Sequence, residues 1–215
     1  MSHTATVIHL EKATERLPLI ENLKALFDLE IFQAKDGSEW AVHPQIQKGH
    51  PHAKEPVSNG NIGCTHSHIE IIYRALKRRE KSVIIFEDDC DLSGGATKEA
   101  VMKFIHLSNT LGEPWDILLV GASEYVESSE MDSADYKRVN RFWGTHAIIL
   151  RERGMRAALK AFAEAQLRGV FLPADWLYNE AIKLDGLVCF GPSDPFHFCR
   201  QKVGLVSYVT GSVRK

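Results

Sequence analysis

The stretch SVIIFEDDCD, residues 82–91, decides the fold of this chain. Its apolar residues, 83–86, lead without a turn residue into Glu87, Asp88 and Asp89. Such a run predicts a strand buried on both faces of a sheet that is covered by helices. Three consecutive carboxylates repel one another, and ligands of open α/β sheets bind at this end of the strands. A divalent cation carrying a phosphorylated ligand is the simplest partner for them. A solvated acidic loop is the alternative, and the preceding apolar strand argues against it.

Segments with strand and helix patterns alternate along the chain. Strands are predicted at 6–10, 30–32, 83–86, 116–120, within 141–150 and at 186–190, and helices at 14–27, 63–79, 98–111, 152–165 and 174–184. Thr14 is the predicted N-cap of the first helix, with Pro18 tolerated in its first turn. Residues 41–60 and 122–135 lack periodicity and predict loops. The alternation predicts an α/β sandwich with a mixed, mostly parallel sheet flanked by helices.

Composition limits the classes of function. The chain has 215 residues, which favours one domain, and its formal net charge of −2 does not suggest a nucleic-acid partner. Basic residues cluster at 74–81, which we interpret as a solvated helix end, with an anionic membrane surface as the alternative. No apolar stretch approaches the roughly 20 residues that span a bilayer. The first residues, 1–16, do not resemble a signal peptide.

The cysteines show no metal-binding or disulfide pattern. They lack CxxC spacing, so the sequence predicts four separate thiols, buried as small hydrophobes in a reducing cytosol. Their positions are Cys64, Cys90, Cys189 and Cys199.

Blocks spread over nearly the whole chain resemble glycosyltransferase family 25. They are VIHLEKATER (7–16), AKDG (34–37), GNIGCTHSH (60–68), SVIIFEDDCDL (82–92), WDILLVG (115–121), GTHAIIL (144–150), PADW (173–176) and the pattern Pro195, Gln201, Ser207. The family includes bacterial lipooligosaccharide galactosyltransferases and collagen galactosyltransferase domains. The chain departs from the family at Thr65, His66 and Ile148, and its segment after PADW is short.

The resemblance implies a fold and a reaction. It implies a Rossmann-like sandwich of GT-A type over residues 1–215, with the nucleotide-sugar part at about 1–121 and the acceptor side at about 122–215. The implied reaction is inverting transfer of a hexose, commonly galactose, from a UDP-sugar to a glycan acceptor. Lipopolysaccharide, lipooligosaccharide or surface polysaccharide synthesis is the implied setting. A cytoplasmic location follows, with at most peripheral association at the inner face of the membrane.

The acidic motif matches the metal motif of the family. Side chains alternate along a strand, so Glu87 and Asp89 are expected on one side. Asp89 is the predicted ligand of Mn²⁺ or Mg²⁺, and Glu87 binds either the metal or the donor. Asp88 fits either role. A late histidine, His197, is a further candidate metal ligand.

Other matching residues suggest donor contacts. Arg16 is expected to bind the diphosphate or stack on the base, with a solvent-facing helix position as the alternative. Ser67 and His68 either bind the donor or brace a loop, and Gly63 permits close backbone approach. A zinc site of His50, His52, His66 and His68 lacks Cys partners at ligand spacing and is not favoured.

Asp175 in PADW is the candidate general base. Inverting transfer needs a carboxylate that takes the proton of the acceptor hydroxyl, and Trp176 offers a platform for a sugar ring. The alternative is that Asp175 only caps the helix that follows. Gly144 and Thr145 either line the acceptor cleft or serve packing.

Two other functions compete with a transferase. One is a nucleotide-sugar-binding module without activity, which would bind donor but not consume it. The other is a metal-dependent nucleotide hydrolase or nucleotidyltransferase, and the chain lacks the P-loop and the GxGxxG motif expected of it.

Overall fold

The chain forms alternating strands and helices, as the sequence predicts. The computed structural model describes residues 4–39, 57–92, 97–108, 110, 114–127, 136–194, 197–202 and 204–205. The strands are β1 (Thr4–His9), β2 (Leu29–Gln33), β3 (Ser82–Glu87), β4 (Cys90–Asp91), β5 (Ile117–Gly121), β6 (Glu124–Glu127), β7 (Tyr136–Trp143), β8 (Ala147–Arg151), β9 (Cys189–Pro192) and β10 (Arg200–Gln201). The helices are α1 (Leu17–Leu26), α2 (Asn59–Lys77), α3 (Lys98–Ser108), α4 (Glu152–Leu167) and α5 (Ala174–Asp185).

One large sheet organises the described part of the chain. Its order is β2-β1-β3-β8-β5-β9-β7-β6, and β4 pairs separately with β10. β1 is parallel to β2 and β3, and β5 is parallel to β9. β8 is antiparallel to β3 and β5, and β7 is antiparallel to β9 and β6. Only β7 and β8 therefore run against the other strands of this sheet. The predicted Rossmann-like α/β sandwich with a mixed, mostly parallel sheet is confirmed.

The acidic strand β3 lies near the middle of the sheet and is covered on both faces. Its residues Val83 and Ile85 belong to a core with α2, α4 and α5. Ile84 and Phe86 belong to the opposite core, with α1 and α3. The predicted burial on both faces is confirmed, which explains why the run shows no alternation of polar and apolar residues.

Helix α2 begins earlier than predicted. It starts at Asn59 rather than at Gly63, and the Ser58 hydroxyl caps it by accepting a hydrogen bond from the Asn61 N–H at 3.1 Å. The predicted loop 41–60 therefore extends two residues too far and the predicted helix starts four residues too late, because Gly60 and Gly63 hid the start of the helix. Residues 41–56 of the predicted loop, which include His50 and His52, lie outside the described residues.

Other predicted boundaries also need correction. Thr14 does not cap α1, since a 3-10 turn (Thr14–Arg16) precedes the helix, although Pro18 does lie in the first turn of α1. β6 lies within the predicted loop 122–135, of which residues 128–135 are outside the described part. Gly186 ends α5 in a left-handed conformation, φ 57°, instead of opening the last strand.

The prediction of four separate thiols is wrong. Cys90 and Cys199 form a disulfide that joins β4 to the segment before β10. Cys64 and Cys189 are free. The pairing was not visible in the sequence because 109 positions separate the two residues. Among the described residues, no helix is long and apolar enough to cross a bilayer.

Candidate active site

A cleft opens where the parallel strands β1, β2 and β3 end. Its volume is about 240 Å³. The lining residues are Ile8, Leu10, Lys12, Arg16, Ala34, Lys35, Asp36, Gly37, Ser38, Asn59, Gly60, Cys64, Glu87, Asp88, Asp89 and Gln201. The C-terminal edge of neighbouring parallel strands is where ligands of open α/β sheets bind. The acidic motif therefore lines the position at which a ligand is expected.

Asp88 is satisfied by the protein itself. One carboxylate oxygen is 3.0 Å from His9 Nδ1 and accepts from the Leu10 N–H at 3.2 Å. The other oxygen accepts a hydrogen bond from the Arg16 guanidinium. The Asp88 and Arg16 side chains are 7% and 8% exposed, so this is a buried ion pair. Asp88 therefore holds the acidic turn against the end of β1.

Arg16 is buried by the same contact and does not occupy the solvent-facing position that was the alternative. Its guanidinium is also 3.7 Å from the Asp89 carboxylate. Burial alone lowers the pKa of Arg16, but the charges of Asp88 and Asp89 raise it, so this cation remains charged. The expected contact of Arg16 with a diphosphate stays a prediction.

Glu87 and Asp89 face a common point together with His146. One ligand atom from each residue lies within 4.8 Å of the other two. Asp89 Oδ1 and His146 Nδ1 are buried, and each lacks a hydrogen-bond partner in the described structure. Ser123 Oγ is 3.0 Å from His146 Nε2, which orients the imidazole.

This group fits a divalent cation. Two carboxylates and an imidazole are ligands that Mn²⁺ accepts, and a cation would satisfy both buried atoms that lack partners. Glu87 and Asp89 share a side and Asp88 turns the other way, as expected, although Asp88 and Asp89 lie in the turn after β3 and not in the strand.

The two acids of this group titrate differently. Burial raises the pKa of Asp89, and the negative charge of Glu87 raises it further. Burial also acts to raise the pKa of Glu87, but contact with His68, the charge of His146 and a hydrogen bond from Thr145 outweigh it and lower that pKa to about 2. Glu87 is therefore charged at neutral pH, and a bound cation would favour ionisation of Asp89 as well.

The predicted Ser67–His68 pair has two separate roles. The Ser67 hydroxyl donates to the Gly63 carbonyl at 2.7 Å and accepts from the Lys35 N–H at 2.9 Å. This geometry favours loop bracing over donor contact. His68 is fully buried, with Nδ1 2.9 Å from the Tyr178 hydroxyl and Nε2 3.6 Å from Glu87 Oε1. His68 thus contacts Glu87 of the acidic motif from the buried side, on helix α2.

Asp175 lies at the start of α5, close enough to Glu87 to sense its charge. Its oxygens accept from the Gly144 N–H at 3.2 Å and the Trp176 N–H at 2.8 Å. Pro173, not Asp175, occupies the N-cap position of α5. Burial raises the pKa of Asp175, and the charge of Glu87 adds to that rise. A half-buried carboxylate with a raised pKa is suited to accept a proton.

The C-terminal segment closes one side of the acidic motif. Gln201 donates from Nε2 to Asp89 Oδ2 at 2.6 Å, and the Lys202 N–H donates to the Asp89 carbonyl at 2.9 Å. His197 is exposed, packs its ring on Phe198, and belongs to neither metal-ligand group of the described residues. Its role as a ligand remains a prediction. Pro195 and Ser207 of the same block lie outside the described residues.

His146 is the main residue that the sequence reasoning missed. It lies within the GTHAIIL block, between Thr145 and the β8 strand, and its position in that block was the available signal. Thr145 donates a hydrogen bond to Glu87, and its role in lining the acceptor cleft or in packing stays a prediction.

Comparisons with known proteins give matches over most of this chain. The model of Glycosyltransferase family 25 (LPS biosynthesis protein) matches residues 2–178. A "Glycosyltransferase 25 family member" of Anopheles gambiae is 26% identical over 160 residues, which cover 68% of this chain and 27% of that protein. A protein of the same description from Drosophila pseudoobscura pseudoobscura is 26% identical over 179 residues, which cover 79% of this chain and 28% of that protein. The chain thus spans little more than a quarter of the length of these curated relatives.

A solved structure is also similar at low identity. It is described as a glycosyltransferase involved in the glycosylation of the major capsid of PBCV-1. Its TM-score is 0.42 at 11% identity, over 90% of this chain and 93% of that one. A likeness of that degree does not bear on the function.

Proposed function

The chain belongs to glycosyltransferase family 25, and from this membership we propose that it is a metal-dependent enzyme that transfers a hexose from a nucleotide sugar to a glycan. The proposed donor is UDP-galactose, and the proposed transfer inverts the anomeric centre. The description of the family model supports an acceptor of the lipopolysaccharide or surface-polysaccharide class. The observation that carries the proposal is the Glu87–Asp89–His146 group at the end of the cleft, with its two buried atoms that lack partners.

Glu87, Asp89 and His146 would hold the cation. When bound, a divalent cation neutralises the diphosphate that leaves with the nucleotide. The Asp88–Arg16 pair keeps the acidic turn in position, and Gln201 orients the Asp89 carboxylate by donating to its Oδ2.

Residues at the rim of the cleft suit an anionic donor. Lys12 and Lys35 line it and supply positive charge. Arg16 also lines the cleft, but its guanidinium is hydrogen-bonded to Asp88. Asn59 and Gly60 also line the cleft, and they form the first turn of the 19-residue helix α2. The N–H groups at a helix N-terminus favour phosphate oxygens.

Asp175 is the proposed general base. Its oxygens are held by the Gly144 and Trp176 N–H groups, which fix the carboxylate at the edge of the site. It would take the proton of the acceptor hydroxyl as that oxygen attacks the sugar from the face opposite the diphosphate. The adjacent Trp176 is half-buried and leaves part of its ring available to the acceptor.

Calorimetry with UDP-, GDP- and CMP-sugars, with and without Mn²⁺, tests the donor site. We expect a UDP-sugar to bind in the presence of Mn²⁺, and Asp89→Asn to weaken that binding at least tenfold. If no nucleotide sugar binds the wild-type chain, both the enzyme and the inactive binding module are excluded.

Turnover of the bound donor separates those two functions. The Asp175→Asn variant should bind donor normally but lose about 10²–10⁴-fold in turnover, as expected for a general base. Glu152→Gln is the matched control, because Glu152 is the first-turn acid of α4 and does not line the cleft. Donor binding without any turnover by the wild type, across candidate acceptors, would favour the inactive module.

A further inference from the structure

Glu87 faces a second group of ligand atoms, separate from Asp89 and His146. Cys64, His68 and Glu87 each place one ligand atom within 4.8 Å of the other two. Cys64 and His68 are four residues apart on α2, so both side chains lie on one face of the helix. Cys64 also lines the cleft, which gives an ion a route to the group.

Two of the three ligand separations are close to those of a tetrahedral metal centre. Glu87 Oε1 is 3.8 Å from Cys64 Sγ and 3.6 Å from His68 Nε2. Typical zinc bond lengths and tetrahedral angles require about 3.6 Å between sulfur and oxygen and about 3.4 Å between nitrogen and oxygen. Each observed separation is therefore about 0.2 Å longer than a zinc ion would require.

His68 has the properties of a ligand that lacks its metal. The side chain is fully buried, and Nε2 lies 3.6 Å from Glu87 Oε1, beyond hydrogen-bond distance, with no hydrogen-bond partner among the described residues. Nδ1 is 2.9 Å from the Tyr178 hydroxyl, which can accept a hydrogen bond from Nδ1 when a metal binds and thereby leave Nε2 to face the metal. A hydrogen bond to the second ring nitrogen is the usual support of a metal-binding histidine. Thr145 donates to the same oxygen of Glu87, Oε1, and so fixes the orientation of that carboxylate.

We propose that Cys64, His68 and Glu87 form a second metal site, which takes Zn²⁺ and other thiophilic cations and competes for Glu87 with the Glu87–Asp89–His146 group. The thiolate gives the selectivity, because sulfur prefers Zn²⁺ to Mn²⁺ or Mg²⁺. The competition follows from a carboxylate that belongs to both groups, since two dications on either side of it repel each other. This site is independent of whether the chain transfers a sugar.

Titration with Co²⁺ as a spectroscopic probe tests the site without an activity assay. The wild-type chain, with its disulfide intact, should show a thiolate-to-cobalt charge-transfer band that saturates at one equivalent. Cys64→Ser should abolish the band and weaken Zn²⁺ binding at least tenfold. Cys189→Ser is the matched control, because that free thiol is buried in β9 outside the group and its loss should leave the band unchanged.

Competition is measured by Mn²⁺ binding to the wild type with and without Zn²⁺. We expect one equivalent of Zn²⁺ to weaken Mn²⁺ binding at least tenfold, and Asp89→Asn to lose Mn²⁺ binding while keeping the cobalt band. His68→Asn is a second variant in case Cys64→Ser does not fold. Three results would each overturn the proposal: absence of the band in the wild type, persistence of the band in Cys64→Ser, or a Mn²⁺ affinity that is the same with and without Zn²⁺.

Discussion

Asp88 and Asp89 are adjacent acids at the end of the same strand, yet their neutralisation should have opposite consequences. Asp88 is bound to protein donors on both oxygens, whereas Asp89 leaves Oδ1 without a partner. We expect Asp88→Asn to destabilise the fold and Asp89→Asn to abolish metal binding without destabilising it.

The cost of Asp88→Asn follows from burial of the ion pair. Both Asp88 and Arg16 are more than nine-tenths buried, so the variant removes the carboxylate charge that the buried guanidinium contacts most closely, while Asp89 lies farther away at 3.7 Å. Removing one partner of a buried pair costs about 3–5 kcal/mol in the free energy of unfolding. For a domain of this size that corresponds to a fall in Tm of roughly 6–20 °C.

In the absence of metal, Asp89→Asn should not lower the free energy of unfolding. Burial and Glu87 raise the pKa of Asp89 in the folded chain, so the folded chain holds this proton to higher pH than the unfolded chain does. Stability is therefore lost as the pH rises from the unfolded to the folded pKa, and the penalty persists at neutral pH. Asn removes that penalty, so the metal-free variant should be at least as stable as the wild type.

Urea unfolding followed by circular dichroism measures both variants, in EDTA and in Mn²⁺. A metal present at 100 times its Kd stabilises a binding chain by about 2.7 kcal/mol, which we expect for the wild type and not for Asp89→Asn. Equal destabilisation by the two substitutions, or an Asp88→Asn chain as stable as the wild type, would refute these roles.

Three further predictions concern the base, the packing of α2 and the rim of the cleft. Burial and the charge of Glu87 raise the pKa of Asp175, so kcat/KM should fall on acidification at a higher pH than it would with an ordinary carboxyl group as the base. The residual activity of Asp175→Asn should not show this decrease at acidic pH. Gly63→Ala should destabilise the fold by about 1–3 kcal/mol in urea unfolding, since a Cβ there would lie 2.3 Å from the Lys35 carbonyl oxygen. Lys35→Met should weaken UDP-sugar binding roughly tenfold by calorimetry, while Lys24→Met on α1 leaves it unchanged.

The sequence could predict the features that depend on local pattern. The apolar run of β3, the proline in the first turn of α1 and the start of α5 after Pro173 were each predicted, because strand burial and helix entry leave a signal within a few residues. The glycines of α2 misled the prediction for a physical reason. Gly60 and Gly63 weaken the helical pattern, so the predicted start at Gly63 is four residues late, whereas Gly63 lets the backbone of residue 35 pack directly against α2.

The partners of the acidic motif could not be predicted, because they come from distant parts of the chain. Asp88 pairs with Arg16 across 72 positions, and Asp89 meets Gln201 across 112. No rule of sequence spacing predicts either pairing. The disulfide between Cys90 and Cys199 belongs to the same long-range contact between β4 and the C-terminal segment.

The direction of one strand explains how His146 reaches the site. β8 runs antiparallel to β3, with Ala147 opposite Phe86, so β8 begins at the edge where β3 ends. The Glu87 N–H donates to the His146 carbonyl at 2.9 Å, which fixes this register beside the acidic turn. In a purely parallel sheet, the residue before a strand would lie at the opposite edge, about the length of a strand away. Because β8 runs against the other strands here, the His146 imidazole lies beside Glu87 and Asp89. Parallel strands alone would bring only the two carboxylates to the cleft.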